Sequence, residues 1–283
     1  MKKAIKLILC ISIILLILAG CTSNKNIHFF SDNVFYTHEG SDDIITIIVS
    51  YAYPSKKPDV GLVEVKGTSL DNITFVLEDI SEEPFTKDKY NGYHVGSFVI
   101  DGDLSNLNTG DRIEIGSIII KVDGEDRELT FKDNLIFTKN DFEDRVYRLP
   151  VQPIQIPSAM VTSRIEERPV LYRFKVLEQF ELTAFETSDH IEISQAVILV
   201  NDNVVGPAKE VLPLKLMAND MLGIDVVFTT DKEKKQSNIV TDVEISGLNI
   251  DNELRKRIFK TSFIALTSPQ DAENLTATLE GEN

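Results

Sequence analysis

Asp101-Gly102-Asp103-Leu104-Ser105-Asn106 sets oxygen-bearing side chains at alternate positions, the spacing with which a loop can surround a hard cation such as Ca2+. Asp101, Asp103 and Ser105 are the candidate ligands. The run departs from the EF-hand loop: Asn106 stands where the sharp-turn glycine belongs, and Arg112 where the bidentate glutamate belongs. An Asp-, Asn- and Gly-rich turn between strands is the plainer account of the same letters. A second group, Arg255-Lys256-Arg257 with Lys260, concentrates cations in an acidic chain. It suits an anionic envelope polymer or the acidic patch of a partner, and a solvated helix face is the plainer account. Tyr51 and Tyr53 lie two apart on an expected strand and share a face; with Tyr90 and Tyr93 they could stack on sugar rings, or simply pack.

Catalytic spacings do not emerge. His28, His38, His94 and His190 are scattered, and none forms the i, i+4 pair with a glutamate that places two zinc ligands on one helical face. Thr187-Ser188-Asp189-His190 holds the letters of a hydrolytic triad but crowds them into one turn, where the relay geometry cannot form. Nucleophile elbows, phosphate-binding glycine loops and dinucleotide fingerprints are absent from the sequence. Carboxylates abound, yet glycosidase chemistry depends on their separation across a cleft, which sequence spacing does not display. The expectation is a protein that is not an enzyme, with a carboxylate-based hydrolase as the lesser reading.

The elements that would position these residues are strands. Val34 to Thr37, Ile44 to Tyr53, Val60 to Val65, Ile73 to Leu77, His94 to Ile100, Arg112 to Val122 and Arg127 to Phe131 are short β-rich runs separated by turn clusters. Asp123-Gly124 between the last two predicts a tight hairpin. Leu171 to Phe185, Ile191 to Val200, Glu210 to Met217, Gly223 to Thr230, Ile239 to Ile245 and Phe259 to Leu266 continue the style, and Asp251 or Asn252 is placed to cap a short helix from Leu254 to Phe259. The fold class expected is all-β, with two consecutive antiparallel immunoglobulin-like β-sandwich domains. Pro150, Pro153 and Pro157 mark residues 149–158 as a linker between a first domain at 27–148 and a second at 159–266, and residues 267–283 read as an acidic flexible tail.

The first residues carry a different signal. Lys2, Lys3 and Lys6 precede an apolar run from Leu7 to Ala19, the length of a secretory signal peptide and too short to span a bilayer. Leu18-Ala19-Gly20-Cys21 closes it and resembles the lipobox of bacterial lipoproteins. That resemblance covers only the leader, 1–20, and implies cleavage before Cys21 and lipidation of its thiol, with residues 21–26 as a short tether. Two acyl chains would then hold the protein in the membrane. Cys10 would leave with the leader, so the mature chain would have neither disulfide nor Cys-based metal site. Losing the three leader lysines makes the remainder more acidic than the full chain's net −16, a balance that disfavours nucleic acid as partner. The expected protein is a lipid-anchored, extracytoplasmic binding, accessory or assembly module at the cell membrane, with an envelope protein or polymer as partner. A solute- or carbohydrate-binding lipoprotein is the alternative.

Overall fold

The computed structural model describes residues 27–79, 88–140, 148–157, 159–162, 166–167, 169–187, 190–231, 234 and 236–279. Residues 1–26, with the expected leader and Cys21, lie outside them. The first half forms β1 (His28–Phe29), β2 (Val34–Gly40), β3 (Ile44–Tyr53), β4 (Val60–Thr68), β5 (Thr74–Asp79), β6 (His94–Asp103), β7 (Arg112–Val122) and β8 (Glu125–Lys139). The second half forms β9 (Val151–Gln155), β10 (Ala159–Val161), β11 (Val170–Val176), β12 (Phe180–Thr187), β13 (Glu192–Val200) and β14 (Asn203–Pro207). A one-turn helix α1 (Ala208–Val211) then leads to β15 (Leu214–Leu216), β16 (Met221–Thr229), β17 (Asn238–Leu248), β18 (Leu254–Ile264) and helix α2 (Pro269–Ala277).

These strands build an all-β protein of two sandwiches. In the first, the sheet β1-β3-β6-β5 packs on β2-β8-β7-β4. Alternation sends Ile45, Ile47, Val49 and Tyr51 of β3 inward to meet Ile113, Ile115, Ile118 and Ile120 of β7. Each such buried aliphatic side chain contributes about 1.5–3 kcal/mol through its removal from water. Asp123 and Gly124 both have positive φ, the backbone of a primed two-residue turn, and close the β7–β8 hairpin as their sequence predicts. In the second sandwich, β14-β13-β16-β11-β9 packs on β10-β18-β17 with β12 and β15. Its core is aromatic, with Tyr172, Phe174, Phe180, Phe228 and Phe263 fully buried.

Strand β2 belongs to both sandwiches. Val34 to Tyr36 pair in parallel with Asn238 to Val240 of β17, and Thr37 to Gly40 pair in parallel with Ile136 to Lys139 of β8. The two lower sheets therefore run into a single nine-stranded one. Side-chain alternation divides the strand between cores: Val34 and Tyr36 enter the first, while Phe35 enters the second. The first residue of β17 reaches β3: buried Asn238 donates from Nδ2 to the Ile48 carbonyl at 3.1 Å, and its Oδ1 accepts the Ala265 amide beyond β18 at 2.9 Å.

Four expectations are corrected. Residues 149–158 are not a free spacer: Val151–Gln155 is the edge strand β9, paired with β11, and Leu149 and Val151 are buried in the second core. Proline is tolerated there because an edge strand leaves one row of amides unpaired, and Pro153 sits at a register shift. The stretch 267–279 is not a loose tail but carries α2, capped by Ser268 accepting from the Asp271 amide, with Ala272, Leu275 and Leu279 buried. Leu254 to Phe259 is strand, not helix, because ten residues of β18 pair with β17. Glu210 to Met217 is not one strand: α1 and β15 share it, separated by a cis Leu212–Pro213 bond.

Candidate binding cleft at the seam of the sandwiches

The site is built where β2 passes from one sandwich to the other. His38, inward-facing on β2 and buried, sits between two carboxylates. Its Nδ1 lies 2.5 Å from Asp242 Oδ1 on β17, and its Nε2 lies 3.0 Å from Asp42 Oδ2 in the β2–β3 turn. Asp242 also accepts the Glu39 amide through Oδ2 at 2.8 Å, so this carboxylate clamps β2 through side chain and backbone together. Asp42 pairs in addition with Lys260 of β18. The ring needs the space that Gly40 leaves: a Cβ there would stand 2.6 Å from His38 Nε2.

Electrostatics follow from this enclosure. Burial disfavours the imidazolium, but the hydrogen bonds to Asp242 and Asp42 outweigh it and raise the His38 pKa above its ordinary 6.5. The same hydrogen bond, assisted by Lys260, holds the Asp42 carboxyl well below the usual carboxylate range. Burial, reinforced by Asp42 and Asp242, pushes the nearby Tyr36 phenol far up, so it stays neutral.

His38, Glu39 and Asp42 line a cleft of about 190 Å³ together with four cations, Arg148, Lys256, Arg257 and Lys260, which outnumber its two carboxylates. A parallel bridge between Arg148 and Lys256 brings the chain ahead of β9 against β18. Arg148 and Arg257 are shared with an adjoining groove of about 460 Å³ along Leu149 to Pro153, which also carries Glu178. In a chain of net −16, this is a local reversal of sign. The volume exceeds that of a few water molecules, at about 30 Å³ each, and admits a phosphate-, sulfate- or carboxylate-sized group.

The expected cationic group is thus divided by the strand. Lys256 and Lys260 lie on one face of β18, Lys256 at 3.3 Å from Glu244, while Arg257 donates to the Val151 carbonyl and lies over the Phe259 ring at 5.5 Å. Arg255 pairs with Glu253 and does not line the cleft. Sequence reasoning missed His38, Asp42, Asp242 and Arg148. A histidine at an inward position of an apolar alternating strand was the one available signal.

The remaining candidate residues lie elsewhere in the fold. Asp101 and Asp103 lie on β6: Asp101 accepts from Thr46 Oγ1 at 2.7 Å, and Asp103 accepts the Ser105 amide at 2.9 Å. Ser105 holds the Asp103 carboxyl below its usual range, as in an Asx turn. Among the described residues, no group of three or more His, Cys, Asp or Glu side chains is placed to hold a metal ion. Tyr51 and Tyr53 form no exposed platform; both are buried in the first core, because inward alternation on β3 carries them there. Of Thr187 to His190, only the two ends are described. Thr187 donates its hydroxyl to the Ile191 carbonyl at 2.7 Å, and His190 Nδ1 faces Lys234 Nζ at 3.2 Å. A wider hollow of about 710 Å³ beside them sets Glu186, Glu192 and Asp231 against Lys234 and His190, so its lining is net acidic, as the chain is.

No protein-family model matches the chain, and no curated protein matches it. Solved structures give distant likenesses. The adhesin CfaE of enterotoxigenic E. coli, in a mutant form, is 7% identical with a TM-score of 0.28, covering 79% of each chain. The collagen adhesin of S. aureus is 10% identical with a TM-score of 0.24, over 84% of this chain and 91% of its own. The MSCRAMM ACE of Enterococcus faecalis is 10% identical with a TM-score of 0.25, over 85% and 94%.

Proposed function

We propose that the chain is a lipid-anchored, extracytoplasmic lipoprotein that acts without catalysis, as a binding module at the cell envelope, and takes an anionic group of an envelope polymer or partner protein in the seam cleft. The observation that carries this reading is the convergence of Arg148, Lys256, Arg257 and Lys260 on one concavity of an otherwise anionic protein. The lipobox at Leu18 to Cys21 supports the anchor, and a tether of five residues, reaching at most about 18 Å, keeps the first sandwich near the membrane.

Two measurements test it. Cys21→Ser removes the thiol that accepts lipid, so lipid labelling and membrane retention should disappear; an unlabelled wild type found wholly in the soluble fraction would end the anchor reading. The chain from residue 22 should be retained on immobilised dextran sulfate at low salt, despite its net negative charge, and the Arg148→Gln/Lys256→Gln variant should elute earlier. Elution of the wild type in the void, or equal retention of both, would refute the cleft as an anion site. Retention should fall with salt, because exposed charges are screened within about 8–10 Å.

A further inference from the structure

We infer that the seam cleft is a small-oxyanion site whose affinity is set by the protonation of His38, so that anion binding and proton uptake occur together; this rests on the reading of the cleft as an anion site. The geometry supplies the coupling. With Nδ1–H donating to Asp242, a neutral His38 turns a bare Nε2 lone pair toward Asp42 Oδ2 at 3.0 Å, two acceptors face to face. Asp42 is then left to Lys260, which bonds the turn and lines the cleft, and cancels its charge. A proton on Nε2 gives Asp42 a donor on β2. The carboxylate charge is offset from behind, and Lys260 faces the cleft with its positive charge less compensated.

The groups that face His38 from each neighbouring element are compatible with this. On its own strand, Tyr36 is neutral, and the Glu39 carboxylate is occupied by Asn140 Nδ2 at 2.5 Å. From β17 comes Asp242, from the turn Asp42, and from β18 Lys260. On β8, Phe137 packs against the ring with centroids 5.7 Å apart, and Lys139 donates to the Asp42 carbonyl at 3.0 Å and to the Asp43 carboxylate at 2.8 Å. Lys139 therefore pins the turn backbone while leaving the Asp42 carboxylate to choose between His38 and Lys260.

The test uses sulfate, which remains a dianion from pH 5 to 9, so that only the protein titrates. At constant ionic strength, sulfate affinity measured by calorimetry should be about tenfold higher at pH 5.5 than at pH 8.5. In His38→Gln, that ratio should fall to about twofold or less. Linkage requires the reciprocal effect: saturating sulfate should raise the midpoint of the His38 ring titration, followed by NMR in the unmutated protein, by about one pH unit. This second readout does not depend on the variant folding. Sulfate binding with no pH dependence, or with an unmoved His38 midpoint, would overturn the inference and leave the anion site standing. An absence of binding at both pH values would overturn both.

Discussion

Phe35→Ala should strongly destabilise the second sandwich, although residue 35 lies on β2, ahead of strands β3 to β8 of the first. Phe35 is 3% exposed and lies in the aromatic core of the second sandwich, its ring centroid 4.9 Å from that of His190 and beneath Lys234 Nζ at 5.0 Å. Truncating a buried phenylalanine costs about 3–5 kcal/mol, and the cation over the ring adds about 0.5–1 kcal/mol. A working value of about 4 kcal/mol corresponds to a fall of roughly 8–16 °C in melting temperature for a unit of this size. The assay is urea denaturation followed by far-UV circular dichroism, combined with native-state hydrogen exchange of the β11 and β16 amides. Their protection should drop by about a thousandfold. Because Val34 and Tyr36 of the same strand lie in the first core, exchange in β3 and β6 should also accelerate. A loss below about 1 kcal/mol, or one confined to the first sandwich while β11 and β16 stay protected, would remove β2 from the second core and refute the shared-strand architecture.

Two further outcomes follow from close geometry. A Cβ at Gly67 of β4 would stand 1.9 Å from the Glu114 carbonyl oxygen of β7, a backbone atom that cannot rotate away, so Gly67→Ala should cost about 1–3 kcal/mol and expose the β4 amides to exchange. For pH, the signs differ between the partners of the seam. His38 has a folded pKa above 6.5, so its contribution is complete below that value and is lost as pH rises through the folded pKa; Asp42, depressed below 3.8, contributes above that value and loses its effect as pH falls. The melting temperature should therefore be greatest between about pH 4 and 6.5 and decline toward pH 9, and His38→Gln should flatten the alkaline decline. An alkaline slope equal in wild type and variant would assign it to other groups.

What was legible in the sequence is what depends on neighbours along the chain. Ile44 to Tyr53 and Arg112 to Val122 announce their strands through β-branched alternation, and Asp123-Gly124 announces the turn because its positive φ values restrict the residues that fit. Local signals also misled. Asn252 does take positive φ, but in a turn between β17 and β18 rather than as a helix cap, and the Phe259–Thr261–Phe263 alternation prevails over the charged letters before it. The prolines of residues 149–158 were compatible with a strand provided it lay at a sheet edge, and that position is a property of the assembled sheet. The seam was illegible for the same reason. His38 and Asp242 are 204 positions apart, and only the parallel register of β2 against β17 brings them together.

That register has a mechanical consequence. A protein held at its N-terminus and engaged elsewhere on the second sandwich would carry load through β2, along the strand's own axis. Parallel ladders on its two edges, to β17 over Val34–Tyr36 and to β8 over Thr37–Gly40, would be loaded by sliding, so their bonds would have to yield together. A hairpin such as β7–β8, pulled from its open end, would instead unzip pair by pair. The Asp242 clamp on the Glu39 amide and His38 lies midway along that load path and opposes the slide. Under tension the lifetime of the folded protein is set by its unfolding rate rather than by its equilibrium stability, and the residues that govern that rate would be those flanking β2, not the larger apolar cores on either side.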